Sequence, residues 1–112
     1  MKINVIGGGT WGVTLTSLLC EKADITVWQR SSRKTEQISK NRYHPNLSNY
    51  NIPTNVSFTS DLKLLDFNNL NILAIPSHVF KDILLNCNLS KGKYLIASRV
   101  LTMIQLYYYH KH

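Results

Sequence analysis

Lys2-Ile3-Asn4-Val5-Ile6 runs directly into Gly7-Gly8-Gly9-Thr10-Trp11-Gly12, and this junction decides the fold. The first five residues are short and rich in β-branched types, which is the composition of a buried strand. Three glycines then end it. From residue 11 to 22 the spacing turns helical, with Trp11, Leu15, Leu18 and Leu19 as the apolar residues and an inward apolar stripe expected among them. A Gly-x-Gly-x-x-Gly string is weak evidence alone. Between a strand and a helix it is the arrangement that holds a dinucleotide pyrophosphate. Gly7 allows the tight turn, Gly9 lets backbone approach the phosphates, and Gly12 lets the helix pack closely on the strand. The free N–H groups at the helix start then face an anion.

Working outward, Ile25-Thr26-Val27-Trp28 is a second strand by β-propensity. Ser31 or Ser32 is placed to cap a helix running to about Lys40. Residues 41–55 are rich in Asn and Pro and are expected to form a long loop. Loops of that length in small domains usually carry function. Val56-Ser57-Phe58 is a short strand, and Asp61 to Leu65 a helical turn. Residues 70–75 form a strong strand ended by Pro76, and Ser77 caps a helix to about Asn86. Tyr94-Leu95-Ile96-Ala97 is the last strand. Strands alternating with helices imply an α/β fold, a Rossmann-type parallel sheet with flanking helices.

The bulk composition suits one such domain. The chain has 112 residues, 44% of them hydrophobic and 17% charged. No apolar run approaches the roughly 18 residues that span a bilayer, and the amino terminus lacks a signal-peptide pattern. The expected location is cytoplasmic. Cys20 and Cys87 lie in apolar segments without metal-type spacing, and both are expected to be buried thiols. The net charge of +7 raises nucleic-acid binding. The basic residues are dispersed, however, with only residues 30–42 dense, and no nucleic acid is expected as a partner. No histidine has an acid placed to orient it for catalysis, so no catalytic residue is assigned.

Cofactor choice is written at the end of the second strand. An acid there would accept from a ribose 2′-OH and repel a 2′-phosphate. The chain instead has Trp28-Gln29-Arg30-Ser31, with Arg33 close by. Arg30 and Ser31 suit a phosphate, so NADP(H) is favoured over NAD(H).

Five strings together resemble the bacterial NAD(P)-dependent glycerol-3-phosphate dehydrogenase family. Gly7 through Leu15 is similar to its G-x-G-[ST]-W-G-T-A-L, in which the Trp is distinctive. Val27-Trp28-Gln29-Arg30 resembles its second-strand ending, and Asn41-Arg42-Tyr43-His44-Pro45 its Asn, Tyr and Pro loop. Ile52-Pro53-Thr54-Asn55-Val56 resembles L-P-x-N-[IV], and Ala74-Ile75-Pro76-Ser77 resembles [AV]-V-P-S. The resemblance covers residues 1 to about 98, taken as the NAD(P)-binding domain. It implies hydride transfer between NAD(P)H and dihydroxyacetone phosphate, giving sn-glycerol 3-phosphate for phospholipid synthesis. It also implies cofactor contacts from Thr10, Trp11 and Arg30, with Pro76 and Ser77 on the nicotinamide side. His44 stands where the family has Leu, and Gly8 where Ala is commoner.

The family continues with Ser-Lys-Gly and then a helical substrate domain carrying a catalytic lysine. Here Ser98-Arg99-Val100 follows instead, and residues 99–112 match no family continuation. Codons compatible with Arg99 onward, read one frame over, spell Gly-Ile-Asp-Asn-Asp-Thr-Ala-Leu-Leu-Leu, which resembles the missing segment. The expectation is a nucleotide lost in a lysine codon, an aberrant tail over 99–112, no substrate domain and no turnover by this chain alone. Two other readings share the glycine loop. One is a standalone dinucleotide-binding module. The other is a fragment of a different Rossmann dehydrogenase, against which Trp11 and Tyr43-His44-Pro45 argue.

Overall fold

The computed structural model describes residues 1–75 and 93–96. Among them are strands β1 (Lys2–Ile6), β2 (Asp24–Trp28), β3 (Val56–Thr59), β4 (Leu70–Leu73) and β5 (Lys93–Ile96). Two helices, α1 (Thr10–Leu19) and α2 (Ser32–Asn41), and a 3-10 turn at Leu62–Leu64 complete the described elements. Pro76, the helix expected from Ser77, Cys87 and the tail from Arg99 lie outside them.

The strands form one parallel sheet in the order β3-β2-β1-β4-β5. The chain begins in the middle, builds to one edge, then crosses β1 to build the other side. The order reverses between β1 and β4, and sheets of this kind bind ligands outside the carboxyl ends of the strands at such a switch point. The glycine loop leaves β1 at that end.

Alternation along each strand fills both faces. Ile3, Val5, Ile25, Val27, Val56 and Ile72 pack on one side with Val13 and Leu15 of α1, Ile38 of α2, and Ile52. Ile6, Trp28 and Leu73 pack on the other with Leu65, flanked by Leu62, Phe67, Ile75 and Tyr94. A buried polar pair interrupts this pattern. Asn4 and Asn71 are register partners on β1 and β4. Asn4 Nδ2 donates to Asn71 Oδ1 at 2.9 Å and to the Asp66 carbonyl at 2.8 Å. Asn71 Nδ2 donates to the carbonyls of Phe67 (2.9 Å) and Asn69 (2.8 Å), fastening the turn that leads into β4.

Helix α1 turns a different face inward from the one its large residues suggest. Trp11 and Leu18 are 53% and 52% exposed, whereas Gly12, Val13, Leu15 and Thr16 are buried. Gly12, where a Cβ would strike the Gly7 carbonyl, lets the helix start come close to β1, and Val13 and Leu15 fill the space against the sheet. Helix α2 begins on Ser31, whose hydroxyl accepts from the Lys34 N–H at 3.2 Å. It ends at Arg42, in the left-handed conformation with φ 60°.

The loop from Arg42 to Asn55 is held by side chains rather than by strands. The Arg42 guanidinium donates to the carbonyls of Pro53 and Val56 and stacks over Phe58 at 5.7 Å. Asn55 Nδ2 donates to the carbonyls of Cys20 and Ala23, tying the loop to the end of α1. Cys20 is buried, with its sulfur 3.5 Å from the Tyr50 hydroxyl. Burial, then the Cys20 contact, then the charges of Cys20 and Glu21 push the Tyr50 phenol up to about 12.

Candidate functional site

The glycines adopt the three roles their spacing implies. Gly7 has φ +131°, and a Cβ there would strike the Ala74 carbonyl, so only glycine makes the turn out of β1. Its N–H donates to the Trp28 carbonyl at 2.7 Å, which locks the turn against β2. At Gly12 a Cβ would strike the Gly7 carbonyl, which explains how closely α1 crosses the loop. Gly9 is different: nothing lies within 4 Å of the position a Cβ would take. Its open side faces solvent where a ligand can approach the backbone.

Gly9 is also the N-cap of α1 and supplies no side-chain cap. The first-turn N–H groups of Thr10, Trp11 and Gly12 have no intrahelical acceptor, because the first helical bond runs from Val13 N to Gly9 O at 3.1 Å. An anion at this end would satisfy them and complement the helix dipole.

Two grooves meet over this loop. The larger, about 600 Å³, runs between the start of α2 and the loop after it, and its walls include Arg30, Ser31, Lys34, Tyr43, His44 and Asn46. The smaller, about 310 Å³, lies toward the end of β4 and is walled by Gly7, Trp28, Ala74 and Ile75. Gly8, Gly9, Gln29 and Arg30 line both. Through these shared residues the pair makes one channel that passes Gly9, the N-cap of α1.

Of the residues singled out from sequence, Gly7, Gly9, Arg30 and Ser31 come together on this channel. Gly12 lies buried beneath it, and Thr10 and Trp11 stand exposed at the helix start without lining either groove. Pro76 and Ser77 lie outside the described residues. Arg33, grouped with Arg30 by proximity in the chain, does not line the channel, and Lys34 does. A helical step explains the exchange, since residue 34 lies one turn from the Ser31 cap. Ser31 Oγ accepts the cap bond, which leaves its proton free to donate into the groove.

Sequence reasoning passed over Gln29, Lys34 and Asn46 as site residues, and set His44 near the cofactor cleft without assigning it a role. The His44 ring carries the clearest electrostatic signature. Its Nδ1 accepts from the Asn46 N–H at 3.1 Å. Burial, and secondarily the Lys34 charge, hold its pKa below the ordinary 6.5. Asn46 Nδ2 in turn donates to Thr10 Oγ1 at 3.0 Å, so the loop is latched to the first residue of α1.

The donor set fits a dinucleotide: an open glycine face and uncapped helix N–H groups for a pyrophosphate, with Arg30 and Lys34 on the larger groove for a further anion. No helix among the described residues is long and apolar enough to cross a membrane.

Comparison with known proteins bears on the same channel. The glycerol-3-phosphate dehydrogenase [NAD(P)+] of Thermoanaerobacter sp. strain X514 is 34% identical over 85 residues, covering 74% of this chain and 26% of the relative. That of Carboxydothermus hydrogenoformans is 38% identical over 88 residues, covering 75% and 26%. The chain thus spans about a quarter of the length of the curated relatives it matches. In fold it resembles the glycerol-3-phosphate dehydrogenase of Coxiella burnetii, with a TM-score of 0.75 at 20% identity over 85% of this chain and 31% of that one. A putative 2-dehydropantoate 2-reductase from Enterococcus faecalis is also similar, with a TM-score of 0.64 at 21% identity over 86% and 33%. At those identities the two structures share the architecture and nothing finer. The sequence separates the families: residues 2–100 match the model of the NAD-dependent glycerol-3-phosphate dehydrogenase N-terminus, and the chain belongs to that family.

Proposed function

We propose that this chain holds the dinucleotide of an sn-glycerol-3-phosphate dehydrogenase, whose whole protein moves a hydride between NAD(P)H and dihydroxyacetone phosphate. The supporting observation is the glycine loop: an uncapped α1 with an open Gly9 face, set at the switch point of a parallel sheet. When bound, the dinucleotide supplies the hydride. The residues of this chain bind and orient it. Gly9 and the N–H groups of Thr10 and Trp11 take the pyrophosphate. The larger groove takes the adenosine end, and the smaller directs the other end toward Ala74, Ile75 and the following Pro76 and Ser77. The product belongs to phospholipid supply, and the chain acts in the cytoplasm.

The cofactor is NADP(H) in preference to NAD(H). The support is the absence of an acid at residues 29–31 together with Arg30, Ser31 and Lys34 on one groove. Titration calorimetry with NADPH and NADH tests it. NADPH binds the more tightly, and Arg30→Ala erases the difference. Equal affinities, unchanged by Arg30→Ala, sink the preference, and no binding of either dinucleotide sinks the function.

Residues 1–98 form the cofactor unit, with 99–112 outside the family's pattern through a lost nucleotide in a lysine codon. Sequencing the gene decides this. A downstream frame that fails to encode Ser-Lys-Gly and a helical continuation overturns it.

A further inference from the structure

Gln29 occupies the waist of the channel and has no role in the reading above. It lines both grooves, between the glycine loop and Arg30. Its backbone is fixed, with its N–H donating to the Thr59 carbonyl at 3.0 Å at the end of β2. Its side chain lies directly on Gly8. A Cβ on residue 8 would strike the carboxamide oxygen and come within 2.6 Å of Cδ and 2.8 Å of Cβ of Gln29. Gly8 has no positive φ, so space for Gln29, rather than backbone strain, accounts for its glycine. The two positions are complementary: the missing side chain at 8 makes room for the long amide at 29.

That amide is unsatisfied. Gln29 Nε2 is buried with no hydrogen-bond partner among the described residues. A buried donor left without an acceptor is costly, and native chains rarely keep one without a use for it. The acceptors a dinucleotide would bring to this waist are ribose and phosphate oxygens. The carboxamide oxygen is the Gln29 atom nearest Gly8, and the same terminal amide carries the unpartnered N–H that a ribose or phosphate oxygen would accept from.

We infer that Gln29, seated in the space left by Gly8, is a cofactor-contacting residue whose amide donates to the ribose-phosphate segment crossing from one groove to the other. This rests on reading the channel as a dinucleotide site. A neutral amide contacts the part that NAD and NADP share. It therefore sets affinity for both, and leaves discrimination between them to Arg30.

The test is calorimetric titration of NADH and NADPH into the chain and into Gln29→Met, which keeps the length and apolar stem but has no donor. Thermal melts of both without dinucleotide accompany it. Both dinucleotides should bind about tenfold or more weakly to the variant, as befits loss of a hydrogen bond to a charged or strongly polar acceptor. The ratio of the two affinities should not change, and the ligand-free midpoint should be equal or higher because an unsatisfied donor is gone. Gly8→Ala gives an independent variant. It should weaken both dinucleotides by crowding Gln29, and add little once Gln29→Gly, which also removes the Cβ 2.8 Å away, has emptied the space. Unchanged affinities in Gln29→Met overturn the inference, as does a lowered ligand-free midpoint alongside the loss, which would make Gln29 a packing residue. A changed ratio also overturns it. Wild-type chain that binds neither dinucleotide overturns the channel's function as well, so the two failures are distinguishable.

Discussion

Gly9 and Gly12 sit three residues apart and should answer the same substitution in opposite ways. Gly12→Ala drives a methyl into the Gly7 carbonyl. Backbone must move to admit it, and overpacking of this kind costs about 1–3 kcal/mol. Its melting temperature and its dinucleotide affinity should both fall. Gly9→Ala meets nothing within 4 Å and keeps an ordinary φ of −73°. It should melt like the wild type and lose affinity alone, because its methyl stands where the phosphates approach. Gly9→Ala with undiminished affinity for NADPH would show that the open face is not the ligand's side. These roles were legible in the sequence, because a Gly-x-Gly-x-x-Gly string encodes backbone geometry that few other residues can adopt. The role of Gln29 was not. A neutral amide carries no charge pattern, and its meaning depends on Gly8 lying beneath it across two strands. Lys34 was hidden for a related reason. Proximity in sequence pointed to Arg33, whereas the helical turn starting at Ser31 brings residue 34 to the groove.

The loop between α2 and β3 is the element least legible in advance. Its Asn and Pro content announced a loop, but its order comes from single long-range bonds that no local pattern reveals. Arg42 is the chief of them, joining two carbonyls and the Phe58 ring from a left-handed backbone position. Arg42→Ala should lower stability by about 1–3 kcal/mol in chemical unfolding, and Arg42→Lys should recover little, since an ammonium lacks the planar fork. Full recovery with lysine would reduce the contact to simple charge. The same loop should respond to pH through His44. The folded chain holds this ring's pKa below 6.5, by burial first and Lys34 second. The unfolded chain therefore binds the proton more readily. The stability His44 contributes is present above 6.5 and is lost as the pH falls through the lowered value. Protonation at Nδ1 would also cost the ring its bond from Asn46. Melts between about pH 7 and pH 5 should decline more steeply for wild type than for His44→Gln. The effect is small, since the ring is only partly buried. Helix α1 teaches a related lesson: its apolar periodicity was real, but Gly12, Val13, Leu15 and Thr16, not Trp11 or Leu18, are its buried face.

At the scale of the molecule, the alternation of strands and helices implied a parallel sheet, and the sheet is parallel throughout its five described strands. The strand order could not be read from any one segment. It depends on which edges find partners, and on pairs such as Asn4 with Asn71 that join β1 to a strand sixty-odd residues away. Asn71→Leu should cost about 1–3 kcal/mol, because it takes one of two acceptors from the buried Asn4 amide and the side-chain donor from the Phe67 and Asn69 carbonyls. The molecule's charge of +7 also bears on binding. Affinity for NADPH should fall with added salt more steeply than affinity for NADH, because the extra phosphate meets Arg30 and Lys34 through solvent-screened attraction. Parallel salt curves would remove those two side chains from the 2′-phosphate. The two tryptophans offer a way to watch all of this without a label. Trp28 is 5% exposed under the sheet, whereas Trp11 is 53% exposed at the head of α1. Their emission should separate into a blue component hidden from acrylamide and a red one open to it. Reduced dinucleotide absorbs in the range where indole emits. Trp28 walls the smaller groove, so bound dinucleotide should quench the blue component most and pass energy to the nicotinamide, giving the binding reaction an optical signal of its own.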